Sequence, residues 1–148
     1  MVEAYVLIGN PNTRKSTLMR CLTGCFSRSV RDIALHRGGN IKLYARVAAL
    51  QESRTPAVDF ASELARSRCQ NVAFALWPES HPNDPERLPD AQTYLRQLRD
   101  AGWAIRKVAV LGAQPIRLDI KDVAHFSNVL SQPINTSAQQ IRNHFGWV

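Results

Sequence analysis

Val2-Glu-Ala-Tyr-Val-Leu-Ile-Gly-Asn-Pro-Asn-Thr-Arg-Lys-Ser-Thr-Leu18 is the stretch on which the fold turns. Residues Val2–Ile8 form an apolar run closed by Gly9-Asn10-Pro11-Asn12, the pattern of a buried strand bounded by turn residues. Beyond the turn, Leu18, Cys21, Leu22 and Cys25 recur at i, i+3, i+4 and i+7, the apolar stripe of a helix packed on a sheet. Gly24 weakens or ends that helix.

The rest of the chain extends the same alternation. Val30–His36 and Ile41–Leu50 are strand-like runs joined by Arg37-Gly38-Gly39-Asn40, a hairpin signal. In the second run Ile41, Leu43, Ala45, Val47 and Ala49 alternate with Lys42, Tyr44 and Arg46, which predicts a half-exposed antiparallel strand. Thr55 and Pro56 are expected as N-cap and first residue of a helix carrying Ala57, Phe60, Ala61 and Leu64. Asn71–Trp77 reads as a central parallel strand. A loop with four prolines, Pro78 to Pro89, follows. Ala91, Tyr94, Leu95 and Leu98 mark a helix stopped by Gly102, and Ile105–Leu111 is the next strand. Val123, Phe126 and Leu130 predict a further helix, Ile134 a short strand, and Ala138, Ile141 and Phe145 a final helix. Strands alternating with helices imply a mainly parallel sheet covered on both faces, here with one antiparallel hairpin strand.

At 148 residues, 45% of them hydrophobic, one domain over residues 1–148 is expected, large enough to fold without disulfide or metal. Whole-chain disorder is excluded by the spread of apolar residues. No apolar run approaches the ~20 residues of a membrane span. The opening Met-Val-Glu-Ala-Tyr lacks a basic segment ahead of an apolar one, and three cysteines are no disulfide framework, so a cytoplasmic location is expected. The net charge of +7 is unevenly placed, with +6 in residues 1–74 and +1 in residues 75–148, and Arg outnumbers Lys fifteen to four. A basic, Arg-rich half is either a solvated surface or a grip on a polyanion, whether nucleotide, nucleic acid or acidic protein.

Gly9-Asn10-Pro11-Asn12-Thr13-Arg14-Lys15-Ser16-Thr17 carries the chemistry. The phosphate-binding pattern G-x-x-x-x-G-K-[ST] is met at every fixed position except the second glycine, which is Arg14. Backbone N–H groups of such a loop, with the helix N-terminus, form an anion site. Lys15, expected to face solvent without ligand, reaches the outer phosphates, and the Ser16 hydroxyl helps to hold magnesium. Arg14 occupies a position where glycine takes a conformation that side chains disfavour. Either it distorts the loop, or its guanidinium folds back as a positive charge near the terminal phosphate.

Gly-Asn-Pro-Asn-Thr-x-Lys-Ser-Thr-Leu over residues 9–18 resembles the phosphate loop of translation-factor-related P-loop GTPases, such as the Era-like and iron-transport-associated groups. The order of loop, helix, antiparallel hairpin and three α/β steps is similar to their G domain. The resemblance implies a P-loop NTPase fold of three layers, α/β/α, binding Mg2+ with ATP or GTP. It implies that Gln51-Glu52 stands where a Gln-Glu pair follows D-x-x-G, with one of the two positioning water, and that Ser137-Ala138 is the Ser-Ala base contact. The chain departs from the family at two places. Val47-Ala48-Ala49-Leu50 lacks the Asp and Gly of D-x-x-G, and Gly112-Ala113-Gln114-Pro115-Ile116 lacks the carboxylate of N-K-x-D. The expectation is a triphosphate-binding protein with weak or absent hydrolysis. The alternative is a degenerate module that docks nucleic acid or a protein through its basic half. A small-molecule kinase shares the loop but needs an Arg-rich lid, and the Pro78–Pro89 loop has only Arg87.

Other residues read two ways. Cys21 and Cys25 are metal ligands or buried hydrophobes. His36, His81, His125 and His144 each stand alone in the sequence. Trp77 lines a base pocket or anchors the core. Glu79 and Asp84 are exposed acids or a replacement magnesium ligand. Arg28, Arg31 and Arg37 grip phosphate or keep a sheet edge soluble.

Overall fold

The computed structural model of the chain describes residues 1–112, 116 and 118–148. Its elements run β1 (Glu3–Ile8), α1 (Lys15–Thr23), β2 (Arg28–Ala34), β3 (Asn40–Ala49), α2 (Ala57–Ser67), β4 (Asn71–Leu76), α3 (Ala91–Asp100), β5 (Ala104–Leu111), β6 (Val123–Phe126) and α4 (Ile134–Phe145). Among the described residues, six strands form one sheet in the order β2-β3-β4-β1-β5-β6. Only β2 and β3 pair antiparallel; the other neighbours are parallel. The fold is therefore α/β, with a mostly parallel sheet and one antiparallel pair.

β1 lies inside the sheet, paired from Glu3↔Asn71 to Ile8↔Leu76 on one side and from Glu3↔Ala104 to Ile8↔Val110 on the other. Its side chains alternate between two cores, as the two-residue period of a strand requires. Tyr5 and Leu7 join α1 and α4 residues such as Leu18, Met19, Ile141 and Phe145, with Trp147 closing that core. Ala4, Val6 and Ile8 join Phe60, Leu64, Tyr94 and Leu98 from α2 and α3. The aromatic rings pack at specific angles. Tyr5 meets Trp147 at 5.1 Å, and Phe60 meets Phe74 at 5.0 Å edge to face.

Local chemistry explains the boundaries. Gly24 caps α1 at φ 71, its N–H donating to the Arg20 carbonyl, as the sequence leads one to expect. Asp90 caps α3 by accepting from the Thr93 N–H at 2.9 Å. Gly38 and Gly39 hold φ 98 and 77 at the tip of the β2–β3 hairpin. The chain end is tied back to that hairpin: the Val148 N–H donates to the Ala34 carbonyl at 2.9 Å, and Leu35 bridges Trp147.

Several expectations need correction. The helix predicted from Val123, Phe126 and Leu130 is the strand β6, because its backbone groups pair with β5 from Val108↔Val123 to Leu111↔Phe126. The helical spacing of those residues is incidental; Leu130 is 58% exposed. Ile134 is the first residue of α4 rather than a strand, and Ser137 and Ala138 lie within that helix. Thr55 does not cap α2; Pro56 takes the N-cap place, and the Thr55 hydroxyl accepts from Arg46. β3 is not half-exposed, since α2 covers its Tyr44 and Arg46 face and both residues are buried. Their polar ends are satisfied by Glu63, Ser53 and Thr55, which is how an alternating pattern comes to lie inside. No helix among the described residues is long and apolar enough to cross a membrane.

Phe60 is fully buried between Phe74 and Trp103. Phe60→Ala should cost about 3–5 kcal/mol, read as a lowered urea midpoint at unchanged slope. A loss under about 1 kcal/mol would show that the α2 core is loosely packed.

Candidate functional site

β1 ends at the carboxyl edge of the sheet, between the ends of β4 and β5, where ligands of open α/β sheets bind. The Gly9 N–H donates to the Leu76 carbonyl at 3.1 Å, tying the loop to β4. A Cβ on Gly9 would sit 2.4 Å from Thr13 Oγ1 and 3.2 Å from Leu111 Cβ, so only glycine fits. The loop then closes on one atom. The Asn10 carbonyl accepts from the Thr13 N–H at 3.2 Å, Thr13 Oγ1 at 2.7 Å and Lys15 Nζ at 3.0 Å. A carbonyl oxygen has two lone pairs, so one of these donors is held by a shared bond and is free to take a better acceptor.

Arg14 stands at φ 61, ψ 24, the left-handed conformation, directly before the first helical residue Lys15. A left-handed residue beside helical ones turns successive N–H groups to one side and makes an anion-binding concavity. Among the described residues, the N–H groups of Asn12, Arg14, Lys15, Ser16 and Thr17 have no protein acceptor. The Arg14 side chain does not fold back over the loop. Its Nη1 donates outward to the Gln132 carbonyl at 3.3 Å. The backbone takes the conformation glycine would supply and bears the side-chain cost, roughly 1–2 kcal/mol.

Lys15 is buried at 5% exposure, against the expectation that it faces solvent. Burial lowers its pKa from the ordinary 10.5, and the Glu52 charge opposes that shift. Ser16 and Glu52 line one groove of about 880 Å³, which opens between α1, the turn before β2, and α2. Asp59 and Glu63 line it too, but Glu52 is the acid whose charge acts on Lys15 in the loop. Neither Glu79 nor Asp84 lines the groove, and Asp84 is paired with Arg87 at 3.5 Å.

The remaining candidates divide. Pro11, Asn12 and Thr17 are exposed around the loop, while Thr13 is buried by its bond to Asn10. Gln51 is fully buried, with its amide oxygen accepting from the Trp77 N–H and its amide nitrogen donating to the Trp77 and Pro89 carbonyls. That side chain clamps the ends of β3 and β4 to the Pro89 turn and has no donor left for water. Ser137 is buried, its hydroxyl donating to Gln132 Oε1 at 3.0 Å, and Ala138 is in the core. Gln132 thereby links Ser137 to Arg14, which places the start of α4 beside the loop. Of the segment Gly112–Ile116, residues 113–115 lie outside the described residues. Trp77 is half-buried and stacked on His81 at 5.7 Å. Cys21 and Cys25 are free thiols, and no group of three metal-ligating side chains occurs among the described residues.

Sequence reading missed the cluster that forms one wall of the groove. Arg46, 8% exposed, donates to both Glu63 oxygens at 3.0 and 3.1 Å and to Ser53 and Thr55 at 2.9 Å. The Tyr44 hydroxyl donates to Glu63 at 2.5 Å; burial, then this bond to a carboxylate, pushes its pKa up to about 12. The only signal was the polar set Tyr44, Arg46 on β3 facing an acid on α2, which spacing alone does not pair. No family model, curated protein or solved structure matches the chain.

Two stability measurements test this geometry. Arg14→Gly should raise stability by about 1 kcal/mol, because glycine holds φ 61 without strain; a loss would show that the Gln132 contact outweighs the strain. Lys15→Met should raise the urea midpoint at pH 7, since it removes a buried cation. With the folded pKa below the unfolded 10.5, the unfolded chain holds the extra proton, so wild-type stability gains on the variant as pH rises towards 10.5. A difference that stays constant up to pH 10.5 would contradict the burial cost.

Proposed function

We propose that the chain binds a nucleoside triphosphate with Mg2+ through residues Gly9–Thr17, and that hydrolysis is slow or absent. The observation that carries this reading is the left-handed turn at Arg14, which leaves a run of loop N–H groups without acceptors around a buried lysine. A phosphate supplies those acceptors, and it offers Lys15 an anionic partner in place of a shared carbonyl. The sequence pattern over the same residues points the same way.

Mg2+ fits the donors present. It keeps several waters and takes one or two protein oxygens together with phosphate oxygens. The Ser16 hydroxyl and the Glu52 carboxylate share the groove and are the oxygens that would hold it, directly or through water. Bound there, the ion would neutralise charge on the outer phosphates. Glu52 is also the remaining group for positioning water, because the Gln51 amide is committed to backbone partners. One carboxylate in two roles, with no Asp on β3, is the basis for slow turnover.

Titration with fluorescent ATP and GTP analogues, with and without Mg2+, tests the reading. Wild type should bind in a Mg2+-dependent manner, and Lys15→Met should lose about a hundredfold in affinity, the worth of one or two charge-assisted hydrogen bonds. Equal affinity of the folded variant and wild type, or no binding of either nucleotide at millimolar levels, would refute it. Preference for one nucleotide would identify the base.

A further inference from the structure

We infer that the groove beyond Ser16 binds single-stranded nucleic acid, a property that goes beyond triphosphate binding and does not depend on it. Five arginines line the groove, Arg20, Arg28, Arg46, Arg54 and Arg66, against the three acids Glu52, Asp59 and Glu63, so its walls carry net positive charge. Arg46 and Glu63 cancel within the wall. Arg28 leans on the same carboxylate at 3.5 Å while its side chain stays 60% exposed. Among the described residues, Arg54 and Arg66 have no ion-pair partner, and Arg20 makes only a 3.5 Å contact to the Phe26 carbonyl. These guanidinium groups present planar donors matched to phosphate oxygens.

Phe26 decides the class of polyanion. It is 80% exposed, lines the groove, and stands between Arg20 and Arg28 in the chain. An aromatic face beside guanidinium groups suits a nucleobase on a phosphate chain, where stacking and phosphate contacts combine. A duplex hides its base faces and would leave the ring nothing to stack on. An acidic or phosphorylated peptide would engage the charges and leave Phe26 idle. Arg54 adds a further sign. It is held at φ 53, a conformation that favours glycine or asparagine, at the groove wall.

The test is anisotropy of a fluorescein-labelled oligothymidylate of about fifteen nucleotides, a length near the upper site size of small single-strand-binding modules. Wild type should bind at low salt and weaken as salt rises. Arg54→Gln with Arg66→Gln should weaken binding about tenfold and flatten the slope of log K against log salt by about 1.4, the share of two phosphate contacts. Phe26→Ala should weaken binding about tenfold with the salt slope unchanged. Arg96→Gln with Arg106→Gln removes the same charge outside the groove and should leave binding intact. Melting curves establish that each variant is folded, and Mg2+-triphosphate affinity of the Arg54 and Arg66 pair should match wild type, which separates these two arginines from the Ser16 and Glu52 oxygens of the same groove. No binding at low salt, equal loss in the Arg96 and Arg106 pair, no effect of Phe26→Ala, or equal affinity for the matching duplex would each overturn the inference.

Discussion

A strand buried on both faces must leave the sheet and start a helix within the residues between Ile8 and Lys15, and few backbone paths allow it. The path taken here needs an atom-free space at Gly9 and a left-handed turn at Arg14. Everything near the carboxyl edge follows from that handover. Thr13 turns back to Asn10, Lys15 is drawn under the loop, and Ser16 is delivered to the mouth of the groove. Because β1 is fixed on both sides by β4 and β5, the loop is held by the most buried part of the molecule.

The same handover concentrates unfavourable terms. A lysine at 5% exposure shares one carbonyl with two other donors, and an arginine occupies a glycine conformation. A protein selected for stability alone would remove both. Their joint presence, next to N–H groups that lack acceptors among the described residues, is what the proposed anion site explains. The Gln51 clamp and the Arg46–Glu63 pair do the opposite work. They hold the ends of β3 and β4 and the wall of the groove with fully satisfied polar bonds.

Much of this was legible in the sequence, and the failures have physical causes. β1, the hairpin glycines, β4 and the α3 stripe were readable because each buries a face with the period its backbone imposes. β6 was misread because four residues are too few to show a two-residue period, and pairing with β5 decided the matter. β3 reads as half-exposed because Tyr44 and Arg46 look polar, yet their tips find Glu63 across the packed helix. At the site, the expectation for residues 9–17 rests on local spacing. The places of Gln51 and Ser137 do not show in spacing: Gln51 bonds Trp77 and Pro89, distant in the chain, and Ser137 is tied to the loop only through Gln132, whose carbonyl meets the distant Arg14.

The central proposal is that the loop backbone between Asn12 and Thr17 binds phosphate. Amide chemical-shift mapping during titration with Mg2+ and inorganic tripolyphosphate tests it without involving a base or turnover. The account predicts that the largest shifts fall on the amides of residues 12–17, with smaller ones at Glu52 and its neighbours. Shifts absent from the loop, or centred on the basic residues at the opposite end of the sheet around Arg106 and Lys121, would contradict it.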